Sequence, residues 1–305
     1  MSGNRTNVRS MKQAPLPLRA GLRALAAFSP RAVAAAVAPL FFRTPPRRRA
    51  EEAERAILHR AERRELGEGA DRLATWTWGR HGPLVLLAHG WGGSAAQLSP
   101  LVPPLLAAGY RVVAADAPGH GESAGRSASI PSFARSMTLV GAWRGPLHGV
   151  VAHSMGGAAF LLAADRGLTA RRAVFIGPPC DAAPWFQGFV RFLRFPAHAE
   201  PALRAAVEGI AGERLARLNS QALGPSLRLP LLVIHDRHDR EVALECGARV
   251  AAEVRDGRLH VTEGLGHRRI LRDQRVAALA VRFLGDASAG EAWRDFPADE
   301  PLRTG

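Results

Sequence analysis

Three residues far apart in the chain could together carry out acyl transfer: Ser154 in Ala152-His-Ser-Met-Gly156, Asp239 in His235-Asp-Arg-His-Asp239, and His267 in Gly264-Leu-Gly-His267. A serine hydroxyl is a poor nucleophile at neutral pH and needs a base, which in turn needs an orienting carboxylate. Small residues two positions either side of Ser154 suit a tight strand-to-helix turn that exposes the hydroxyl. Taken alone, Ser154 also admits the reading of an ordinary helix N-cap. His267 is the best placed of the eleven histidines, because it follows the last apolar run and precedes the final helix. His89, His120 and His153 fall inside glycine turns, where structural roles suffice. Asp239 lies far enough past its strand to reach back to a loop imidazole. Asp236 is nearer the strand end and second choice, and Asp181 is third. The two His and two Asp of residues 235–239 also admit a metal reading, but no second ligand group matches them, so neither metal nor cofactor is expected. An oxyanion would need two backbone N–H donors. The glycine loop His89-Gly-Trp-Gly-Gly93 can supply that of Trp91, and Met155 supplies the other.

Such residues must be brought to one end of a common scaffold. Apolar runs at 84–88, 110–115, 147–152, 173–176, 231–234 and 259–261 read as strands buried on both faces. An alternating run at 73–78 reads as an outer strand. Stretches of helical length, 95–108, 130–143, 155–164, 241–254 and 269–284, separate them. Alternating buried strands and helices predict an α/β architecture with a mostly parallel, doubly wound sheet. Ligands of such sheets sit beyond the carboxyl ends of the strands, where each residue named above falls. An interval at about 178–228 breaks the rhythm. It holds Trp185, Phe186 and Phe189 and reads as a helical cap whose aromatic residues form either an apolar wall over Ser154 or simply the cap's own core.

With these motifs assembled, the chain resembles the α/β-hydrolase fold superfamily, of the serine-hydrolase and esterase type. His89-Gly-Trp-Gly-Gly93 resembles its oxyanion loop, Asp116-Ala-Pro-Gly-His-Gly-Glu-Ser123 its Asp-x-x-Gly-x-Gly-x-Ser turn, and Ala152–Gly156 its nucleophile elbow. Residues 235–242 resemble its acid loop and Gly266-His267 its histidine loop, in the order Ser, Asp, His. Departures are Ala152 where Gly is usual, Asp236 where the acid loop more often has Gly, and Ala243 where it often has Pro. The resemblance implies hydrolysis of a carboxylic ester through Ser154, His267 and Asp239, and an aromatic wall from the cap favours a small or medium acyl or aryl group. Amide or thioester cleavage shares the same intermediate. A non-catalytic, membrane-associated binding protein on the same sheet is the rival from another class.

The chain has 305 residues and a formal charge of +14. Ten basic and no acidic residues fall in 1–50, which leaves +4 on the rest. Residues 1–50 therefore read as a basic extension and 51–305 as the hydrolase domain. The apolar run 32–42 is too short for a bilayer, which takes about 20 residues. Leu18, Leu22, Leu25 and Phe28, at spacings of three or four on a basic helix, would allow peripheral membrane contact. No recognition module for nucleic acid is visible. Cys180 and Cys246 match no disulfide framework or zinc spacing, so a reducing, cytoplasmic setting is expected.

Overall fold

Short apolar runs with no polar face must lie inside a sheet covered on both sides. The computed structural model, which describes residues 13–285, places them there. Eight strands, β1 (Glu62–Leu66), β2 (Leu73–Trp78), β3 (Leu84–Ala88), β4 (Arg111–Ala115), β5 (Leu147–His153), β6 (Ala170–Ile176), β7 (Leu231–Asp236) and β8 (Gly257–Thr262), form one sheet in the order β1-β2-β4-β3-β5-β6-β7-β8. β1 and β2 are antiparallel, β2 runs antiparallel to β4, and the remaining pairs are parallel. Neighbouring residues of the central strands feed opposite cores: Leu86, Val150 and Val233 face one, Leu87, Val151 and Ile234 the other.

Helices cover both faces. In chain order they are α1 (Leu16–Phe28), α2 (Pro30–Phe41), α3 (Glu52–Leu58), α4 (Ala95–Leu98), α5 (Val102–Ala107), α6 (Ile130–Arg144), α7 (Met155–Asp165), α8 (Ala183–Leu193), α9 (Glu200–Ala211), α10 (Ser220–Leu223), α11 (Leu244–Glu253), α12 (Gly266–Arg269) and α13 (Gln274–Gly285). The helix expected over 95–108 is broken into α4, a 3-10 turn and α5, because Pro100, Pro103 and Pro104 each remove a backbone donor. The helix expected over 269–284 starts afresh at α13, where Asp273 accepts from the N–H groups of Arg275 and Val276. Helices α8 to α10 occupy the interval between β6 and β7.

Three expectations change. The strand over 73–78 is not the sheet edge, since β1 pairs along its whole length. β1 reads Glu-Arg-Arg-Glu-Leu and is exposed over its four charged residues, so it carries no apolar signal, as suits an edge that must resist further pairing. Residues 16–48 are not a separate extension. Val33, Ala34, Val37 and Ala38 of α2 are buried against the cap, and Phe42 joins the main core. Phe42 O accepts from Ala128 N–H, Thr44 is bonded to Gly119 and Arg126, and Arg47 donates to the carbonyls of Ser123 and Gly125. Arg48 makes a bidentate pair with buried Glu54. Charge composition marked this stretch as a tail because its apolar stripe is interrupted by Arg and Pro.

Third, Cys180 and Cys246, 66 residues apart, form a disulfide with Cα atoms 4.8 Å apart. The fold brings together the first loop of the cap and helix α11, which no sequence spacing announces. Disulfides persist mainly in oxidising compartments, so the cysteines no longer argue for a reducing one.

If residues 16–48 are part of the core, Phe42→Ala should lower unfolding free energy by about 3–5 kcal/mol, the usual cost of emptying a buried Phe site. Urea denaturation measures this, and an unchanged midpoint would return the segment to the status of an appendage.

Candidate active site

The site is built where β3, β5, β7 and β8 end on the same edge. Ser154 follows β5 at φ 52° and ψ −124°, a conformation that costs a non-glycine residue of the order of 1–3 kcal/mol and persists only when its surroundings impose it. They do so at close range. Ser154 N–H donates to Ile176 O at 2.9 Å, and Gly157 N–H to Ser154 O at 2.9 Å. A Cβ on Gly156 would lie 2.7 Å from Ala88 O and 2.8 Å from His89 O, so only glycine lets α7 start this close to β3. A Cβ on Gly90 would lie 2.7 Å from Ser154 Cβ. Ala152, the departure from the usual glycine, is fully buried and the turn forms around it.

Asp239, rather than Asp236, meets the imidazole. His267 Nδ1 lies 2.6 Å from Asp239 Oδ2, and the other oxygen, Oδ1, accepts from the N–H groups of Glu241 and Val242. Burial pushes the Asp239 carboxyl up, but hydrogen bonds from His235 and His267 outweigh it and hold its pKa well below the usual range. The carboxylate therefore keeps the proton on Nδ1 and leaves Nε2 of neutral His267 as the basic nitrogen. Asp236 ties two loops together instead: Oδ1 accepts from His238 N–H, and Oδ2 from Thr262 Oγ1 and Leu265 N–H, each at 2.9 Å. Asp181 accepts from Ala183 N–H at the start of α8.

Three histidines set aside as turn residues hold the site's loops. His89 Nδ1–H donates to Gly90 O at 2.7 Å and Nε2 accepts from Ala117 N–H at 2.9 Å, which requires the neutral ring. His120 does the same between Pro118 O and Gly92 N–H. Together they fasten the 89–93 loop to the 116–123 turn. That turn is itself centred on buried Asp116, which accepts from Ala95 and Glu122 N–H. His153, beside the serine, donates from Nε2 to His267 O at 2.8 Å and so braces the histidine loop from the elbow. Their only sequence signal was position next to the motif glycines, which cannot distinguish a ring buried as a crosslink from one exposed in a loop.

Ser154 and His267 line one cavity of about 510 Å³, with Trp91 and Met155 on its wall. Among the described residues, neither the Trp91 nor the Met155 N–H is taken up by a turn or loop carbonyl. Met155 is also the first residue of α7, whose N-terminal dipole favours negative charge. Trp185, Phe189 and Phe192 of α8 form the cap side of the cavity. Phe186 does not. It lies on the buried face of α8, edge-on to Phe41 and beneath the Arg204 guanidinium, because a helix turns positions 186 and 190 away from 185 and 189. From the other side Leu40, Phe41 and Phe42 complete the wall, a contribution hidden in the presumed tail. At the rim Arg268 makes a bidentate pair with Glu241.

Burial holds the pKa of His89 and of His153 down to about 3, aided by the neighbouring His120 and His267 respectively, whereas burial raises Asp116 to about 6. Below pH 6.5 the unfolded chain protonates both histidines while the native state does not. Stability is therefore lost as pH falls from 6.5 toward 3, by up to about 1.4 kcal/mol per proton per pH unit. Asp116 acts oppositely, taking one proton in the native state as pH falls through 6. At pH 5 unfolding should take up about one net proton or more. Urea melts across pH 5–7 measure it, and stability that is flat or rises on acidification contradicts these neutral crosslinks.

Residues 79–222 match the family model described as serine aminopeptidase, S33. No curated protein matches the chain. Among solved structures, an esterase from Pyrococcus furiosus has a TM-score of 0.58 at 20% identity and covers 79% of this chain and 100% of its own. A bacterial membrane phospholipase A has a TM-score of 0.58 at 19% identity and covers 88% and 96%. The thioesterase domain from the curacin biosynthetic pathway has a TM-score of 0.55 at 21% identity and covers 73% and 99%. Sheet order, a serine at the turn after β5 and these similarities agree on the α/β-hydrolase fold.

Proposed function

We propose that the protein is a serine hydrolase acting on carboxylic esters with an apolar acyl or aryl group. The observation that carries this reading is the shared cavity: Ser154, in a strained turn, and His267, held by Asp239, line the same apolar space. In this reading Ser154 Oγ attacks the carbonyl carbon while His267 Nε2 takes its proton. The Trp91 and Met155 N–H groups receive the oxyanion, and Asp239 stabilises the imidazolium. Collapse expels the alcohol, which leaves with the proton from His267, and an acyl-Ser154 ester remains. Water then attacks that ester, with His267 again as base, to release the acid and restore the serine. Each proton passes through His267, first from Ser154 to the departing alcohol and then from the attacking water back to Ser154.

An amidase reading is favoured by the aminopeptidase family model, and a thioesterase reading by one structural neighbour. Against a peptidase that grips an amino terminus, the acidic residue lining the cavity, Glu241, is already paired with Arg268. The apolar wall instead rewards a hydrocarbon substituent.

With p-nitrophenyl esters of increasing acyl length, kcat/KM should rise about fourfold per methylene, from about 0.8 kcal/mol for each CH₂ buried, until the cavity is filled. A p-nitroanilide series and a thioester series of the same acyl groups are the comparison. Faster turnover of either series would reassign the substrate class. On the best substrate Asp239→Asn should reduce kcat by about 10⁴-fold through loss of the orienting carboxylate. Asp236→Asn should cost far less activity and mainly stability. The reverse ranking would overturn the assignment of the acid.

A further inference from the structure

Helices α1 and α2 form a hairpin with two unlike sides. One side is seated on the cap: Leu22, Ala26, Val33 and Val37 are buried, Ala14 N–H donates to Phe192 O, and His198 Nε2 to Ala26 O. The other side faces outward and is almost wholly apolar. Leu25 is 61% and Phe28 88% exposed, with Leu18 beside them on the α1 surface. Ala32, Ala35, Ala36 and Pro39 continue the exposed surface along α2 to Leu40. The exposed charges on this hairpin are Arg23 and Arg31, and residues 1–50 contain no acidic side chain. Exposed Leu and Phe without a carboxylate, flanked by arginines, complement a surface that is apolar beneath and anionic at its face. Among the described residues no helix is long and apolar enough to cross a membrane. Thirteen-residue α1 is about 20 Å long and can lie along such a surface.

The face also leads to the cavity. Leu40, half exposed at the end of α2, lines it, as does partly exposed Trp185 of α8. We propose that the outward face of α1 and α2 docks on an anionic lipid bilayer, and that this places the cavity mouth where an ester of a membrane lipid can enter past Leu40 and Trp185. The docking half stands on the hairpin alone. The substrate half rests on the serine-hydrolase reading above.

The test is co-sedimentation of the full chain with vesicles of phosphatidylglycerol and phosphatidylcholine, against pure phosphatidylcholine. The chain should bind the anionic vesicles. Leu25→Ser with Phe28→Ser should weaken binding by more than about tenfold, since both side chains lose their apolar burial. Arg23→Gln and Arg31→Gln should each weaken it about fivefold. Ser154→Ala should bind as the native chain does, which separates docking from catalysis. The Leu25 and Phe28 substitutions should leave turnover of a short soluble ester unchanged and lower that of a vesicle-borne lipid ester in step with binding. Native protein that stays in the supernatant overturns the proposal, as does binding unaffected by the two serine substitutions. Self-association through this face, abolished by those substitutions, would also overturn it by assigning the face to a second copy. Loss of all ester turnover with binding intact would overturn the function and not the docking.

Discussion

The close approach of β3 and β5 is the constraint on which the site depends. Ala88 pairs with Ala152 in parallel register, and helix α7 must leave the end of β5 against the carbonyls of Ala88 and His89. Gly156 permits that contact, and the chain can then turn only by holding Ser154 at positive φ. The strain is sustained by the strands around it, which are buried on both faces and bonded to neighbours on either side. The geometry of Ser154 is thus a property of the sheet's packing more than of the pentapeptide around it.

Around this point the molecule uses neutral histidines as crosslinks. His89 and His120 each accept a backbone N–H on one nitrogen and donate from the other, and each does so only while uncharged. Burial makes the charged form costly, so the same desolvation that would weaken a catalytic base keeps these rings in their structural state. His153 extends the arrangement from the serine turn to the carbonyl of His267. Asp239 and Asp236 divide the acid loop between them, one holding an imidazole and the other joining two loops.

Much of this was legible in the sequence, for a physical reason. Buried parallel strands are continuous apolar runs, and residues that follow them collect at one edge whatever the intervening helices do. That logic singled out Ser154, Asp239 and His267, and the fold brings Asp239 against His267 and sets Ser154 and His267 on one cavity. It could not see β1, whose charged residues carry no periodic signal, nor the turn of α8 that sends Phe186 inward while Trp185 and Phe189 face the cavity. It misjudged residues 16–48 because charge was counted before the stripe formed by Val33, Ala34, Val37 and Ala38, whose burial depends on a partner helix 160 and more residues away. The Cys180–Cys246 pairing likewise exists only once the cap and α11 are folded together.

In the proposed reaction Ser154 is an activated nucleophile lining an apolar cavity and not a capping serine. Intact-mass and peptide mass spectrometry after incubation with a fluorophosphonate probe tests it directly. A single stoichiometric adduct should form on Ser154 of the native chain and be absent from Ser154→Ala. A folded native chain that stays unmodified, or that carries its adduct on another residue, would contradict it.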